Sequence, residues 1–397
     1  MADDRQPAPD QSVATALDAF ARSKGTDGEG RYVQNVRSTV NKFVSWFRVG
    51  HDHDPRFDEL GPDIVRAWVR DGLRSEGYAA SSVKTYFNNL SAYLGWCVRE
   101  GLLDSNPCER ARAREPLPDE NKEESRPDRQ QSWSDTHRRT ILQHVELEAR
   151  QAFDDAEDPR EAVIEYRNLA LVSVLALSGV RGGEVLRDPQ NPNRDGLQWR
   201  EVDTADQQMI RVWNKRSEWS DRPVTSATAD ALDRLENLLQ PADDWPVFVS
   251  SSYKALQSRL RDRLIGLTDG KQRLTPEDVD AMLADCATAP DFLALYREYE
   301  IPPPALTTEG GRYVMKKLTD EAGIEVDGRH NYLAPHGARR GLGEVLVRER
   351  GYDEAATQLD NTAEVVRDAY SHIDAGERAA DLEAAIEEYE KKQAKRD

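Results

Sequence analysis

The chain has 397 residues, enough for two or three domains with cores of their own, and no run approaches the roughly 18 to 20 apolar residues of a membrane helix. Its formal net charge is −19, from 54 basic and 73 acidic side chains, which repels phosphate at long range unless salt screens it. The opening MADDRQPAPDQS has no basic stretch followed by an apolar one, and Cys97, Cys108 and Cys286 are scattered; no secretory signal, disulfide framework or zinc site is expected, and a cytoplasmic setting fits.

Residues 1–30 are polar and rich in Gly and Asp, and read as a flexible N-terminal arm. Residues 31–114 read as one helical domain. Val36, Val40, Phe43, Val44 and Phe47 recur at three- and four-residue steps. Phe57 to Leu60 leads through Pro62 into a second helix with Ile64, Val65, Trp68 and Val69. A third helix is expected from Ser82 to Glu100, stopped by Gly101, before Asn106-Pro107 forces a turn. Residues 31–115 carry 13 basic and 11 acidic side chains, net +2, whereas residues 116–397 hold −18. The least acidic block is thus the one best suited to an anionic partner.

Residues 115–132 have a linker composition, charged and nearly free of apolar groups. A second domain is expected over 133–375. It begins with a helix near Ser134 and holds a buried helix in the apolar run Leu169 to Leu177. Short strand-like runs follow at Leu197-Gln198-Trp199, Met209 to Trp213 and Val247-Phe248-Val249. Residues 266–304 read as an insertion, with a helix start at Thr275-Pro276-Glu277 and a closing run Pro302 to Pro304. Helices resume from Thr307 to Ala322 and from Pro335 onward, and 376–397 is an Ala/Glu/Lys-rich helical tail. The expected fold class is mainly α with a small β-sheet.

Three short segments carry chemistry. SGVRGGEVL places Arg181 and Glu184 three apart on one helix face. PHGARRG places His336 and Arg339 at the same step, with glycines that let a phosphate approach. LDNTAEVVRDAYSH holds Asn361 and Tyr370. Taken singly, each has a plainer reading: a surface arginine paired to a glutamate, a histidine near a basic turn, one of 13 tyrosines.

In order and spacing these segments resemble the tyrosine recombinase (phage integrase) family, whose pattern is Thr-Gly-Leu-Arg-x-x-Glu, a hairpin Lys, His-x-x-Arg, Leu-Gly-His, and a Tyr nine residues later. Here the hairpin stretch LQWREVDTADQQMIRVWNKRSEWSDRPV offers Lys215, and nine residues beyond Asn361 stands Tyr370. SSVKTYFNNLSAYLGWCVREGLLDSNPCE is similar to the end of the family's core-binding domain. The resemblance spans roughly residues 30–375. It implies a helical core-binding domain followed by a mixed α+β catalytic domain, acting on double-stranded DNA as a homotetramer on paired sites, nucleoid-associated and without cofactor or metal. It implies Tyr370 as nucleophile, Arg181 and Arg339 on the phosphate, His336 as proton acceptor, Lys215 as general acid, Asn361 as a phosphate hydrogen-bond donor and Glu184 in support. Lys84, Arg110, Arg112 and Arg114 are the expected DNA contacts of the first domain.

Two departures stand out. Asn361 occupies the position of the family's third-box His, and Asn cannot shuttle a proton. Arg340 stands where the family has a second His, which leaves open whether Arg339 or Arg340 faces the phosphate. The 12 lysines against 42 arginines, amid abundant carboxylates, resemble a haloarchaeal or haloarchaeal-virus protein. In molar salt the Debye length falls to about 3 Å and long-range repulsion is screened. Alternatives are a weakened relative that binds DNA without cutting, a type IB topoisomerase-like nicking enzyme, and a non-enzymatic helical regulator.

Overall fold

A computed structural model describes residues 12–24, 30–119, 131–191, 193–269, 272–327 and 330–371. Most of the expected linker and the whole of the expected 376–397 tail lie outside the described residues. The chain divides into two compact units, Met1–Arg126 with Gln190–Pro192, and Pro127–Pro189 with Asn193–Asp397.

The first unit is helical: α1 (Leu17–Ser23), α2 (Arg31–His51), α3 (Pro62–Ala67) running on as a π-helical stretch Trp68–Arg74, α4 (Ala80–Arg99) and α5 (Ala111–Arg114). The apolar stripe predicted in α2 is buried, with Val36, Val40 and Phe43 at 0% exposure, against Trp68 and Phe87. Gly101 at φ 74° follows α4 in the left-handed region that glycine enters without cost. The arm expected over 1–30 is corrected in its middle. Val13, Ala16, Leu17 and Phe20 are buried, Phe20 meets Tyr93 and Trp96 edge-on at 5.5 Å each, and the Tyr93 hydroxyl donates to the Val13 carbonyl at 2.6 Å. Each such buried apolar side chain contributes about 1.5–3 kcal/mol, ample to order one short helix.

The second unit runs α6 (Asp135–Asp155), α7 (Val163–Leu177), α8 (Gly182–Val185), β1 (Val202–Asp203), β2 (Met209–Trp213), β3 (Trp219–Pro223), α9 (Ser226–Leu239), α10 (Tyr253–Leu264), β4 (Thr268–Asp269), β5 (Gln272–Arg273), α11 (Pro276–Ala284), α12 (Ala289–Glu298), α13 (Thr308–Glu321), α14 (Pro335–Arg350) and α15 (Tyr352–Gln358). A further helix, α16, covers residues 363–371. Helix α7 packs between α6 and α9 and is buried on every side from Leu169 to Ala176, which is why its sequence is a continuous apolar run. The β1–β2–β3 sheet is an antiparallel meander with Trp213 opposite Trp219 and Ile210 opposite Arg222.

Other expectations need adjusting. The runs at 197–199 and 247–249 form no strands. They make isolated bridges, Gln198 with Pro246 and Val249 with Ala305, because each pairs over one residue before the chain turns away. The stretch 266–304 folds as a two-stranded hairpin plus α11 and α12, with Phe292, Leu293 and Tyr296 fully buried, so it belongs to the core of this unit. The end of the expected linker is also engaged. The Gln131 side chain bonds Tyr332 O and Ala334 N at 2.7 Å each, and Trp133 Nε1 donates to Ala334 O at 3.0 Å, fixing the entry to α14.

Candidate active site

Helix α7 ends at Ser178, and Gly179, at φ 71°, reverses the chain into Arg181 and α8. Arg181 is the residue before that helix. Its backbone N–H donates to Glu184 Oε2 at 2.8 Å and its guanidinium to Glu184 Oε1 at 2.7 Å. The Glu184 side chain is fully buried and Arg181 keeps 23% exposure, so the carboxylate aims the guanidinium while part of it reaches solvent. A second Arg181 nitrogen donates to Asn361 Oδ1 at 3.1 Å across 180 residues. That bond occupies the oxygen of the Asn361 amide and leaves its N–H groups to meet an anion.

His336 and Arg339 lie one turn apart at the start of α14. Arg339 is 4% exposed and donates to the Gly179 carbonyl and to the Leu359 carbonyl, so one guanidinium ties the first box to the third. Burial, and then the neighbouring Arg181, push its pKa down to about 10, and it remains cationic at neutral pH. Arg340 bonds neither carbonyl: its guanidinium reaches Gln131 O at 3.5 Å, while its charge still acts on His336 and Tyr370. Of the two candidates, Arg339 is therefore the one that faces the other boxes.

An open cleft of about 560 Å³ is lined by Arg181, Gly182, Thr308, Arg312, Tyr332 and His336, among others. His336 presents a solvent-open face at its mouth. Even so, the protein packed around the ring, and then Arg340, Arg339 and Arg181, hold its pKa down to about 4. The imidazole is thus neutral at pH 7 and free to accept a proton. Because the folded value lies below the ordinary 6.5, the unfolded chain binds the proton first. This contribution to stability is complete above pH 6.5 and is lost as pH falls toward about 4. Melting temperatures followed from pH 7 to 4.5 should show the wild-type protein losing stability relative to His336→Asn; a constant gap would mean that the ring is not held neutral.

Tyr370, on α16, is 6% exposed and packs with Val347, Ala355, Leu359 and Val366. Its hydroxyl lies against Gly343, two turns along α14 from His336, where a Cβ on Gly343 would collide with it. Burial raises the phenol above its ordinary value, Arg339 and Arg340 oppose this, and Glu344 adds to it. Lys215 sits exposed in the turn between β2 and β3. The expected DNA contacts lie in the first unit: Lys84 is half-buried on α4, and Arg110, Arg112 and Arg114 are exposed at α5. Arg112 pairs with Asp63 at 2.6 Å, and Arg114 Nε donates to the Cys108 carbonyl at 3.0 Å.

Sequence reasoning missed Arg194, Arg222 and Asp360. Arg194 donates to the Gly183 carbonyl and, at 3.3 Å, to the Asn214 carbonyl, joining α8 to the hairpin. Arg222 pairs with Asp360 at 2.8 Å. Partial burial acts to raise the Asp360 carboxyl, but the hydrogen bond and charge of Arg222, with Arg216 and Arg181 nearby, outweigh it and hold it below the usual carboxylate range. Among the described residues no group of three or more His, Cys, Asp or Glu is placed to hold a metal, and no helix is long and apolar enough to cross a membrane.

Neither a protein-family model nor a curated protein matches the chain by sequence. In structure it is similar to lambda integrase, solved as a dimer bound to a COC' core site, with 14% identity, a TM-score of 0.51, and coverage of 91% of this chain and 77% of that one. It is similar also to the Tn1549 transposon integrase, solved in complex with transposon right end DNA, with 11% identity, a TM-score of 0.50, and coverage of 93% and 100%. Two mainly helical units and a three-stranded antiparallel meander accord with that likeness: the chain has the tyrosine recombinase/integrase fold.

Proposed function

We propose that this protein is a site-specific DNA recombinase that cleaves and rejoins double-stranded DNA through a 3′-phosphotyrosyl intermediate on Tyr370. The observation that carries the reading is the bond from Arg181 to Asn361 at 3.1 Å, which, with the Arg339 bonds to the Gly179 and Leu359 carbonyls, gathers three boxes spread over 180 residues. Attack on a phosphodiester builds charge on its two non-bridging oxygens. Arg181 and Arg339 stabilise it with planar, permanently charged donors, and the Asn361 amide adds a third. The Tyr370 hydroxyl, which rests against Gly343 two turns along α14 from His336, has to swing toward His336 as the phosphate engages; its proton then passes to the neutral imidazole, the Tyr370 oxygen bonds phosphorus, the bond to the 5′ oxygen breaks, and Lys215 protonates that oxygen. The ester keeps the bond energy, so attack by a 5′ hydroxyl reverses the step. A phosphate in the cleft raises the His336 pKa toward that of the phenol, which makes the transfer feasible only on DNA.

In this reading the first unit grips DNA through Lys84, Arg110, Arg112 and Arg114, four protomers assemble on paired sites, and the acidic surface suits concentrated salt. The test is a randomised duplex library with a nick that lets the cut fragment escape, incubated at about 1 M salt, where the Debye length is about 3 Å. A denaturant-resistant adduct should form, and peptide mass spectrometry should place it on Tyr370. No adduct, or one on another residue, overturns the reading. A second reading, DNA binding without cleavage, draws on the burial of Tyr370 and the absence of an imidazole at 361; the same assay separates the two.

Asn361→His is expected to keep or raise the cleavage rate, by up to about tenfold, since an imidazole can both accept from Arg181 and donate to phosphate. Single-turnover cleavage of a duplex selected from the library reads it. Complete loss would show that the Asn361 amide has a contact no ring can replace.

A further inference from the structure

Asp360 is an unexpected residue for its backbone. Its φ of 47° lies in the left-handed region that glycine occupies freely and an aspartate occupies only at some cost. The side chain carries what glycine could not. A single oxygen, Oδ2, accepts from Arg222 at 2.8 Å and from Asn214 Nδ2 at 3.2 Å. Arg222 belongs to β3, points inward opposite Ile210 and is 2% exposed, so it needs a counter-charge to be tolerated there. Asn214 directly follows β2 and is 3% exposed. Its own oxygen accepts from the backbone N–H of Arg216 at 2.8 Å and of Glu218 at 3.2 Å, which shapes the turn that carries Lys215. One carboxylate oxygen therefore holds both arms of the hairpin, and the next residue in the chain is Asn361, bonded to Arg181.

We propose that Asp360 is a positioning residue that locks the Lys215-bearing turn of the β2–β3 hairpin onto the Asn361 loop, so that the group protonating the leaving oxygen and the groups holding the phosphate keep one geometry. This rests on the cleavage reading above. Lys215 is a long, exposed side chain that must meet one oxygen atom, and a displacement of about 1 Å in such a group can cost about 100-fold in rate. The bonded path runs from the turn through Asn214 and Asp360 to the backbone of Asn361, and so to Arg181. Arg222 secures it from the second strand.

The test compares two substrates in single-turnover cleavage with the full-length protein: a nicked duplex selected by adduct formation, and the same duplex with sulfur replacing the bridging 5′ oxygen. An alkoxide leaves poorly without a proton, whereas a thiolate, with an ordinary pKa of about 8.5, needs none. Asp360→Gly removes the carboxylate and suits the local φ. It should slow cleavage of the oxygen substrate about 10- to 100-fold at unchanged DNA affinity, and leave the sulfur substrate within about twofold of wild type. Asp360→Asn, which keeps an acceptor oxygen but no charge, should show the same substrate dependence to a smaller degree, and it carries the comparison if the glycine variant melts early. An unaltered rate on the oxygen substrate overturns the proposal. So does an equal slowing on both substrates, which would place Asp360 with the phosphate-binding groups or with folding alone. If the wild-type protein forms no adduct with either duplex, the cleavage reading itself fails and takes this inference with it; a wild-type adduct with an indifferent Asp360→Gly overturns this inference only.

Discussion

Tyr370→Phe is expected to abolish the covalent adduct, with single-turnover cleavage falling at least about 10⁴-fold, while the melting temperature and DNA affinity stay near those of the wild-type protein. The ring is the structural part of this residue. It is 6% exposed among Val347, Ala355, Leu359 and Val366, and phenylalanine fills the same volume. The hydroxyl is the chemical part, and the site contains the means to use it. Arg339 and Arg340 lower its pKa against the burial that raises it, and the proposed acceptor, neutral His336, stands two turns along α14 from the Gly343 it touches, a gap the hydroxyl has to close on DNA. The comparison needs both proteins at the same salt on the same nicked duplex. An adduct that persists in Tyr370→Phe would move the nucleophile to another hydroxyl, such as that of Tyr352, which donates to the Tyr370 carbonyl at 3.4 Å.

The sequence made the site legible for a specific reason. Its key residues sit at fixed steps within short segments: Arg181 with Glu184, His336 with Arg339, Asn361 with Tyr370. Of these only His336 and Arg339 share a helix face; Arg181 stands before α8 in extended backbone and Asn361 in the turn before α16, so the spacing located those residues without giving their geometry. The fold brought Arg181, Glu184, His336, Arg339 and Asn361 into bonded or electrostatic contact, and placed Tyr370 near Arg339. Lys215 is a different case, since its turn was readable but its relation to the site runs through Asn214 and Asp360. No periodicity announces a bond between residues 222 and 360, and an arginine in a short strand next to a proline reads as solvent-facing until the fold turns it inward. Asp360 drew no notice in the sequence, although it stands where the family pattern has glycine; its φ of 47° accords with that position, and its two bonds explain the side chain.

The first helix was missed for the opposite reason. Val13, Ala16, Leu17, Phe20 and Ala21 do have helical spacing, but the stripe is one short helix long and lies between polar, Gly- and Asp-rich stretches. Local composition outvoted it. Its order comes from tertiary contacts with Tyr93 and Trp96, some 75 residues away, which no window on the sequence contains. The runs at 197–199 and 247–249 erred in the other direction. Leucine and tryptophan in the first and two valines in the second fit a strand, but what fixes them is burial on the core with one bridge each, and Leu197 and Val247 are 1% and 0% exposed.

Arg339→Lys is the second large effect, and it should damage both fold and chemistry. The guanidinium donates to the Gly179 and Leu359 carbonyls from two different nitrogens, at 4% exposure. A lysine ammonium is a point donor that can reach one of these carbonyls, not both with the same geometry. The other is left buried without a partner, which costs about 1–3 kcal/mol. Gly179 and Leu359 flank the turns that present Arg181 and Asn361, so the loss loosens both of the arms proposed to hold the phosphate. Removing a fixed charge donor from a developing oxyanion costs a further factor of about 10²–10³ in rate. The two contributions separate by temperature. At 10–15 °C below its own melting point the variant should be folded, with far-ultraviolet circular dichroism unchanged, yet still cleave about 10²–10³-fold more slowly than wild type. Recovery of the wild-type rate under those conditions would mean that Arg339 only fastens the boxes together, and would hand its place on the phosphate to Arg181 and Asn361 alone. Arg340→Lys, altering a guanidinium whose hydrogen bond goes to Gln131 O at 3.5 Å and keeping the positive charge that acts on His336 and Tyr370, should leave the rate within about threefold of wild type, because neither carbonyl loses its donor.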